Sequence, residues 1–116
     1  MESFSEPTKP TIDVPEFGNE IRFRDGSPVV MNIGDNVTAA SNTTITIKCP
    51  VSGVPTPFVT WTKDGAEISD ENGYSITSDN SLVFAKAASG DSGSYSCNAQ
   101  SFFGNDSASS TVRIIG

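Results

Sequence analysis

Two cysteines, Cys49 and Cys97, constrain the fold of this chain more than any other feature. They stand 48 positions apart, each in a segment where apolar and polar side chains alternate. Because successive side chains of a strand point to opposite faces, both cysteines are predicted to face inward. A separation this long does not fit a Cys-x-x-Cys redox site, but it fits a bridge between two sheets packed about 10 Å apart. Trp61 is predicted to cover that bridge.

The same alternation recurs through most of the chain. Ile45 and Ile47 share a predicted face with Cys49, and Tyr95 and Ala99 share one with Cys97. Gly, Pro, Asn, Asp and Ser separate the runs about every 8–12 residues, a spacing typical of an all-β sandwich or barrel. No window carries the periodicity of an amphipathic helix. We therefore predict an all-β fold.

The beginning of the chain has a different composition. Pro7, Pro10 and Pro15 stand here among acidic residues. Such a segment buries little apolar surface and favours extended, mobile conformations. We predict a flexible, acidic, proline-containing lead-in over residues 1–25 and one domain over residues 26–116.

Composition also excludes several classes of function. The chain has no histidine, two cysteines and a net charge of −7. A Ser-His-Asp or Cys-His catalytic site needs an imidazole, and structural zinc needs four Cys or His ligands. Nucleic acids and anionic membrane surfaces both favour basic proteins, and no apolar run approaches the ~18 residues of a membrane span. We expect no enzyme, no metal or cofactor, no nucleic-acid partner and no direct membrane insertion.

Several motifs together resemble the I-set branch of the immunoglobulin fold. Eleven residues separate Cys49 from Trp61, Leu82 follows, and the run from Asp91 to Cys97 reads Asp-Ser-Gly-Ser-Tyr-Ser-Cys. The segment from Gly53 to Gly65 is similar to the pattern Gly-x-Pro-x-Pro-x-Val-x-Trp-x-Lys-Asp-Gly of that branch. The resemblance covers about residues 26–116.

This resemblance implies a two-sheet antiparallel immunoglobulin-like sandwich with one inter-sheet disulfide. Trp61, Leu82, Asp91 and Tyr95 would form the core signature. Asp91 and Tyr95 would form the tyrosine corner, in which the tyrosine hydroxyl bonds backbone a few residues upstream.

The chain departs from the family pattern in three places. Ser101 stands where the family often has asparagine, and no arginine near residues 72–74 is present to pair with Asp91. The stretch from Gly34 to Cys49 is also longer than usual, which predicts a split first strand with an insertion around residues 39–42.

Three triplets match the acceptor sequence for N-linked glycans, at Asn36, Asn42 and Asn105. Glycans and disulfides both belong to oxidising compartments. We therefore expect an extracellular location, in a secreted protein or the ectodomain of a membrane protein.

The I-set resemblance implies binding rather than catalysis. We expect a non-catalytic extracellular protein-binding or adhesion module of a larger multidomain protein, similar to domains of ADAMTS-like, papilin-like or hemicentin-like matrix proteins. Two alternatives stay open: a structural spacer without its own ligand, and an intracellular muscle-type filament domain.

Two segments are predicted to contact a protein partner. Phe102 and Phe103 are adjacent at the turn between the last two predicted strands. Either the turn and the end of the sandwich partly bury both, or, as neighbours in a strand, one enters the core and the other is exposed as an anchor. The second segment is basic and aromatic and consists of Arg22, Phe23 and Arg24.

Open sheet edges provide a further route to partners. Residues 43–46 and 107–111 are polar on one side and are predicted to lie at edges. Weak homophilic contact through such edge strands is compatible with this pattern.

Overall fold

A computed structural model describes residues 7–23, 27–69 and 74–115. In these ranges the chain forms strands and one short 3-10 turn, Ser89–Asp91, and no α-helix. The strands are β1 (Thr8–Ile12), β2 (Glu20–Phe23), β3 (Val29–Asn32), β4 (Asn36–Ala40), β5 (Ile45–Lys48), β6 (Val51–Val54), β7 (Phe58–Lys63), β8 (Ala66–Ile68), β9 (Tyr74–Ile76), β10 (Leu82–Phe84), β11 (Gly93–Ser101) and β12 (Gly104–Ile115).

The strands form two large sheets and one small one. The four-stranded sheet has the order β3-β5-β10-β9, and the six-stranded sheet has the order β2-β4-β12-β11-β7-β8. β1 and β6 form a separate two-stranded ribbon. The predicted all-β sandwich is confirmed. Its main ladders are antiparallel, whereas β2–β4, β4–β12 and β3–β5 are parallel pairs.

Alternation along the strands builds the core between the two large sheets. Ile45 and Ile47 are fully buried, and the residue after each of them lies on the other face of β5. In β11, Tyr95 and Ala99 are buried in the same way. Leu82 stands opposite Ile47 in register and is also fully buried.

The disulfide between Cys49 and Cys97 joins the two sheets, with an S–S distance of 2.01 Å. Trp61 lies beside it, because β7 places Trp61 directly opposite Cys97 in register. The indole is fully buried, and its Nε1 donates a hydrogen bond to the Asn80 carbonyl at 2.9 Å. That bond satisfies the one polar atom of the ring.

A second, partly buried group of polar side chains surrounds Asp91. The Tyr95 hydroxyl donates to the Asp91 carbonyl at 2.5 Å, which is the geometry of a tyrosine corner. No arginine is needed here, because the Tyr74 hydroxyl donates to the Asp91 carboxylate at 2.9 Å. The Ala88 backbone N–H donates to the other carboxylate oxygen at 2.8 Å.

Burial raises the pKa of both tyrosines in this group. For Tyr95, desolvation is the main cause, and the hydrogen bond with Tyr74 adds to it. For Tyr74, desolvation again has the largest effect. The neutral hydroxyls are therefore the stable forms inside the fold.

The first strand is split, but not where the sequence predicts an insertion. The break lies between β3 and β4 at Gly34, which has a φ of +105°. Ala39 and Ala40 continue β4, and the chain turns at Ser41 and Asn42. β3 and β4 consequently join different sheets.

Two strands lie in the segment for which the sequence predicts a flexible lead-in. β1 pairs with β6 and buries Pro10 and Ile12, and β2 pairs with β4. The Ile12 backbone N–H also donates to the Asp106 carboxylate at 2.8 Å. These strands depend on distant partners, so the local sequence pattern did not reveal them. The division of the chain after residue 25 stays a prediction.

Only one of the two segments predicted as edges is interior. β5 lies between β3 and β10, because the first half of the split strand covers it along Ile45–Lys48. β12 lies between β4 and β11, but β4 pairs with it only along Val112–Ile115. Residues 107–111 are therefore paired with β11 on one side and with no described strand on the other. The edges of the six-stranded sheet are β2 and β8, and those of the four-stranded sheet are β3 and β9.

Stability is predicted to fall at alkaline pH because of Tyr95. Its folded pKa exceeds the unfolded value of 10.0, so the unfolded state releases this proton first as pH rises. The stabilisation is complete below about pH 10 and declines above it, by at most ~1.4 kcal/mol per pH unit. Urea unfolding between about pH 8 and pH 11 measures this decline. A flat profile would contradict the prediction.

Thr43→Val is predicted to stabilise the fold. Thr43 is fully buried, and its Oγ1 has no hydrogen-bond partner among the described residues. Valine keeps the shape and removes the orphan hydroxyl, so the free energy of unfolding should rise by about 1 kcal/mol. Thr44→Val is the matched control, because the Thr44 hydroxyl donates to the Ala85 carbonyl at 2.9 Å. Thermal unfolding of the unglycosylated proteins measures both variants: the melting temperature should rise for Thr43→Val and fall for Thr44→Val.

Candidate protein-interaction site

The β11–β12 hairpin presents two aromatic side chains at its turn. Ser101 pairs with Gly104, so Phe102 and Phe103 are the two turn residues. Phe102 is fully exposed and Phe103 is 46% exposed. The expectation that one of them enters the core is wrong, because the pair occupies a turn rather than a strand.

Local contacts hold this turn in shape. The Ser101 hydroxyl accepts a hydrogen bond from the Phe103 backbone N–H at 3.1 Å. Gly104 has a φ of +146°, and a Cβ there would lie 3.2 Å from the Lys9 side chain. Glycine therefore allows both the turn and the close approach of β1.

A shallow groove adjoins the turn. Phe58, at the start of β7, is 67% exposed and stands opposite Gln100 in register. The groove has a volume of about 400 Å³, and the described side chains that line it are all uncharged. We call it the hairpin groove, and its lining residues are Pro55, Thr56, Phe58, Gln100, Ser101 and Phe102.

Sequence reasoning found only one side of this groove. Phe58 was not predicted as a site residue, although strand alternation indicates that it faces outward. Val59 and Trp61 lie on the other face of β7, and Trp61 is buried. Pro55 and Thr56 reach the groove through the loop before β7, and no local pattern predicts that placement.

The basic segment lies elsewhere. Arg22 is exposed on the edge strand β2, with its guanidinium 3.9 Å from the Glu20 carboxylate. β2 pairs with β4, which in turn pairs with Val112–Ile115, at the opposite end of β12 from the hairpin turn. The structure therefore does not bring Arg22 to the hairpin groove.

The other two members of that segment have no described side chains. Phe23 belongs to β2, where only its backbone is described, and Arg24 lies outside the described residues.

The asparagines of the three predicted glycan-acceptor triplets are all exposed. Asn36 begins β4, and its Oδ1 accepts a hydrogen bond from the Thr111 backbone N–H at 2.9 Å. Asn42 lies in the turn after β4 with a φ of +69°. Asn105 is the second residue of β12.

The family model of the immunoglobulin I-set domain matches residues 28–114. The chain belongs to the immunoglobulin I-set family.

Two relatives illustrate the range of proteins that carry such a domain. This I-set domain is 44% identical over 81 residues to a titin homolog of Caenorhabditis elegans. The matched region covers 66% of this chain and, rounded, 0% of the relative. It is 33% identical over 91 residues to ADAMTS-like protein 1 of Homo sapiens, and that matched region covers 78% of this chain and 5% of the relative. The predicted resemblance is confirmed, and the chain spans a small part of these relatives.

A solved structure agrees with the fold. Titin domain M7 superposes on this I-set domain with a TM-score of 0.71 at 24% sequence identity. The match covers 97% of this chain and 100% of that one.

Neither a metal centre nor a membrane helix is found in the described parts of the domain. Residues 7–23, 27–69 and 74–115 contain no group of three His, Cys, Asp or Glu side chains placed to hold an ion. Within the same ranges, no helix is long and apolar enough to cross a bilayer.

Phe102→Ser is predicted to leave the stability of the domain unchanged. The side chain is fully exposed, so its removal opens no cavity. Leu82→Ala is the contrasting variant, because Leu82 is fully buried and its truncation should cost about 2–5 kcal/mol. Urea unfolding measures both, and a loss on Phe102→Ser comparable to that of Leu82→Ala would contradict the prediction.

Proposed function

We propose that this I-set domain is a non-catalytic, extracellular protein-binding module of a larger multidomain protein and contacts its partner through the hairpin groove. The observation that carries the proposal is the full exposure of Phe102 beside the exposed Phe58. Burying one such ring against a partner contributes about 1.5–3 kcal/mol. Exposed aromatic side chains at a rim of polar groups are typical anchors of protein interfaces.

The scaffold favours this use of the hairpin. β11 pairs along nine residues with β12 and along six with β7, so the turn projects from a well-supported strand. A partner would therefore meet side chains whose backbone is already ordered, which lowers the entropic cost of association.

Relatives support protein binding in general terms. Solved structures of titin immunoglobulin domains include a complex of domains Z1Z2 with telethonin and a complex of domain M10 with an obscurin-like 1 domain. We infer that this chain also binds a protein, of a kind still to be identified.

The extracellular assignment has two supports. The disulfide needs an oxidising compartment to form and persist, and all three glycan acceptors are exposed. A second candidate, an intracellular filament domain, is favoured by the 44% identity to a titin homolog.

Expression through a secretory pathway separates these two candidates. We expect secreted protein with the Cys49–Cys97 bridge and carbohydrate on at least one of Asn36, Asn42 and Asn105, detected by peptide mass spectrometry. Retention of the protein in the cell, or secretion with bare asparagines at all three sites, would favour the filament domain.

Binding through the hairpin groove is tested against a panel of secreted ectodomains. Phe102→Ser and Phe58→Ser should each weaken a detected interaction at least tenfold, which corresponds to ~1.4 kcal/mol. Phe17→Ser is the matched control, because Phe17 is 81% exposed and belongs to the segment between β1 and β2. Equal binding by all three variants would favour a structural spacer domain or a partner-binding surface outside the hairpin groove.

A further inference from the structure

The outer face of the six-stranded sheet has an unusual composition. Its central strands β7, β11 and β12 present mostly hydroxyl and amide side chains there, although the chain has a net charge of −7. The charged Arg113 also lies on this face, near the end of β12 that is far from the hairpin turn. The hydroxyl and amide side chains alternate with the buried ones of the same strands and are Thr60, Thr62, Ser94, Ser96, Asn98, Gln100, Asn105, Ser107, Ser109 and Thr111.

One glycan acceptor lies on this face in the same row as the hairpin groove. Gln100 stands opposite Phe58 on one side and opposite Asn105 on the other. Adjacent strands are about 4.8 Å apart, so the Cα atoms of Phe58 and Asn105 are separated by roughly 10 Å. Asp106 points to the other face, where its carboxylate accepts the Ile12 N–H.

We propose that an N-linked glycan on Asn105 folds across Gln100 onto Phe58 and closes the hairpin groove. This regulation rests on the proposed function, because it assumes an extracellular protein whose groove binds a partner. Occupancy of this single asparagine then decides whether the groove is open.

The chemistry of the attachment suits this face. In the secretory pathway, the bond forms between Nδ2 of Asn105 and C1 of N-acetylglucosamine. The bond from C1 to a lipid diphosphate donor breaks, and the amide loses one proton. The hydroxyls of the sugars find donors and acceptors in Gln100 and Asn98, and the C–H face of a pyranose packs on the negative face of the Phe58 ring.

Glycans on the other two acceptor asparagines, Asn36 and Asn42, would lie too far from the hairpin groove to close it. Asn36 bonds to Thr111, six residues along β12 from Asn105, which is roughly 20 Å on an extended strand. Asn42 follows Ser41, whose backbone N–H donates to the Ile115 carbonyl at the far end of β12. Asn42→Gln is therefore a control that removes a glycan without changing the groove.

The test uses the secreted chain and its variants Asn105→Gln, Ser107→Ala, Asn42→Gln and Asn105→Gln/Phe58→Ala. The neutral dye Nile red probes the groove, and mass spectrometry of the peptide determines occupancy of Asn105. Removing the glycan by Asn105→Gln or Ser107→Ala should tighten dye binding about fivefold, the equivalent of ~1 kcal/mol. Asn42→Gln should leave dye binding as in the wild type, and the added Phe58→Ala should abolish the gain.

Two results would overturn the inference. One is secreted protein that carries a glycan on Asn42 but none on Asn105. The other is a glycosylated Asn105 whose removal leaves dye binding unchanged. Either result leaves the proposed function standing, since that proposal fails separately, when Phe102→Ser keeps full affinity for a partner.

Discussion

The Cys49–Cys97 disulfide beneath Trp61 is the constraint on which the rest of the domain depends. The chain is only 35% hydrophobic, so the core between its sheets is small. Closing a loop of 48 residues removes conformational freedom from the unfolded chain, worth about 4 kcal/mol in the loop-entropy description. That is a large share of the stability of a single domain. The bridge also anchors β11, the strand that carries the hairpin turn at its end.

Alternation predicted this central part of the fold well, because side chains such as Ile47 and Ala99 must be buried wherever the strand is placed. The N-terminal strands escaped prediction for the opposite reason. β1 consists of Thr8–Ile12 with a proline in the middle, and it becomes a strand only because β6 offers a free edge. Tertiary pairing of this kind overrides weak local preference.

The site was half predictable on similar grounds. Phe102 and Phe103 are conspicuous in sequence and were predicted at a turn, but neither predicted arrangement, both partly buried or one in the core, anticipated that the turn exposes both. The polar group around Asp91 is another case. The family often places an arginine near residues 72–74 to pair with this carboxylate, and this chain has none there, so the sequence left the partner of Asp91 open. Tyr74 supplies a hydroxyl from β9 instead. A carboxylate needs donors of suitable geometry, and the type of residue that supplies them is free to vary.

The groove and the core do not compete for the same residues. Neither Phe58 nor Phe102 at the groove belongs to the buried cluster, and β11 contributes two residues to the groove, the outward-facing Gln100 and the terminal Ser101. Under the proposed function, substitutions at Phe58 or Phe102 are therefore expected to change recognition at little expense in stability. The same separation explains how one scaffold serves relatives as different as a titin homolog and ADAMTS-like protein 1. The fold is maintained by its interior, and specificity belongs to side chains that the interior does not need.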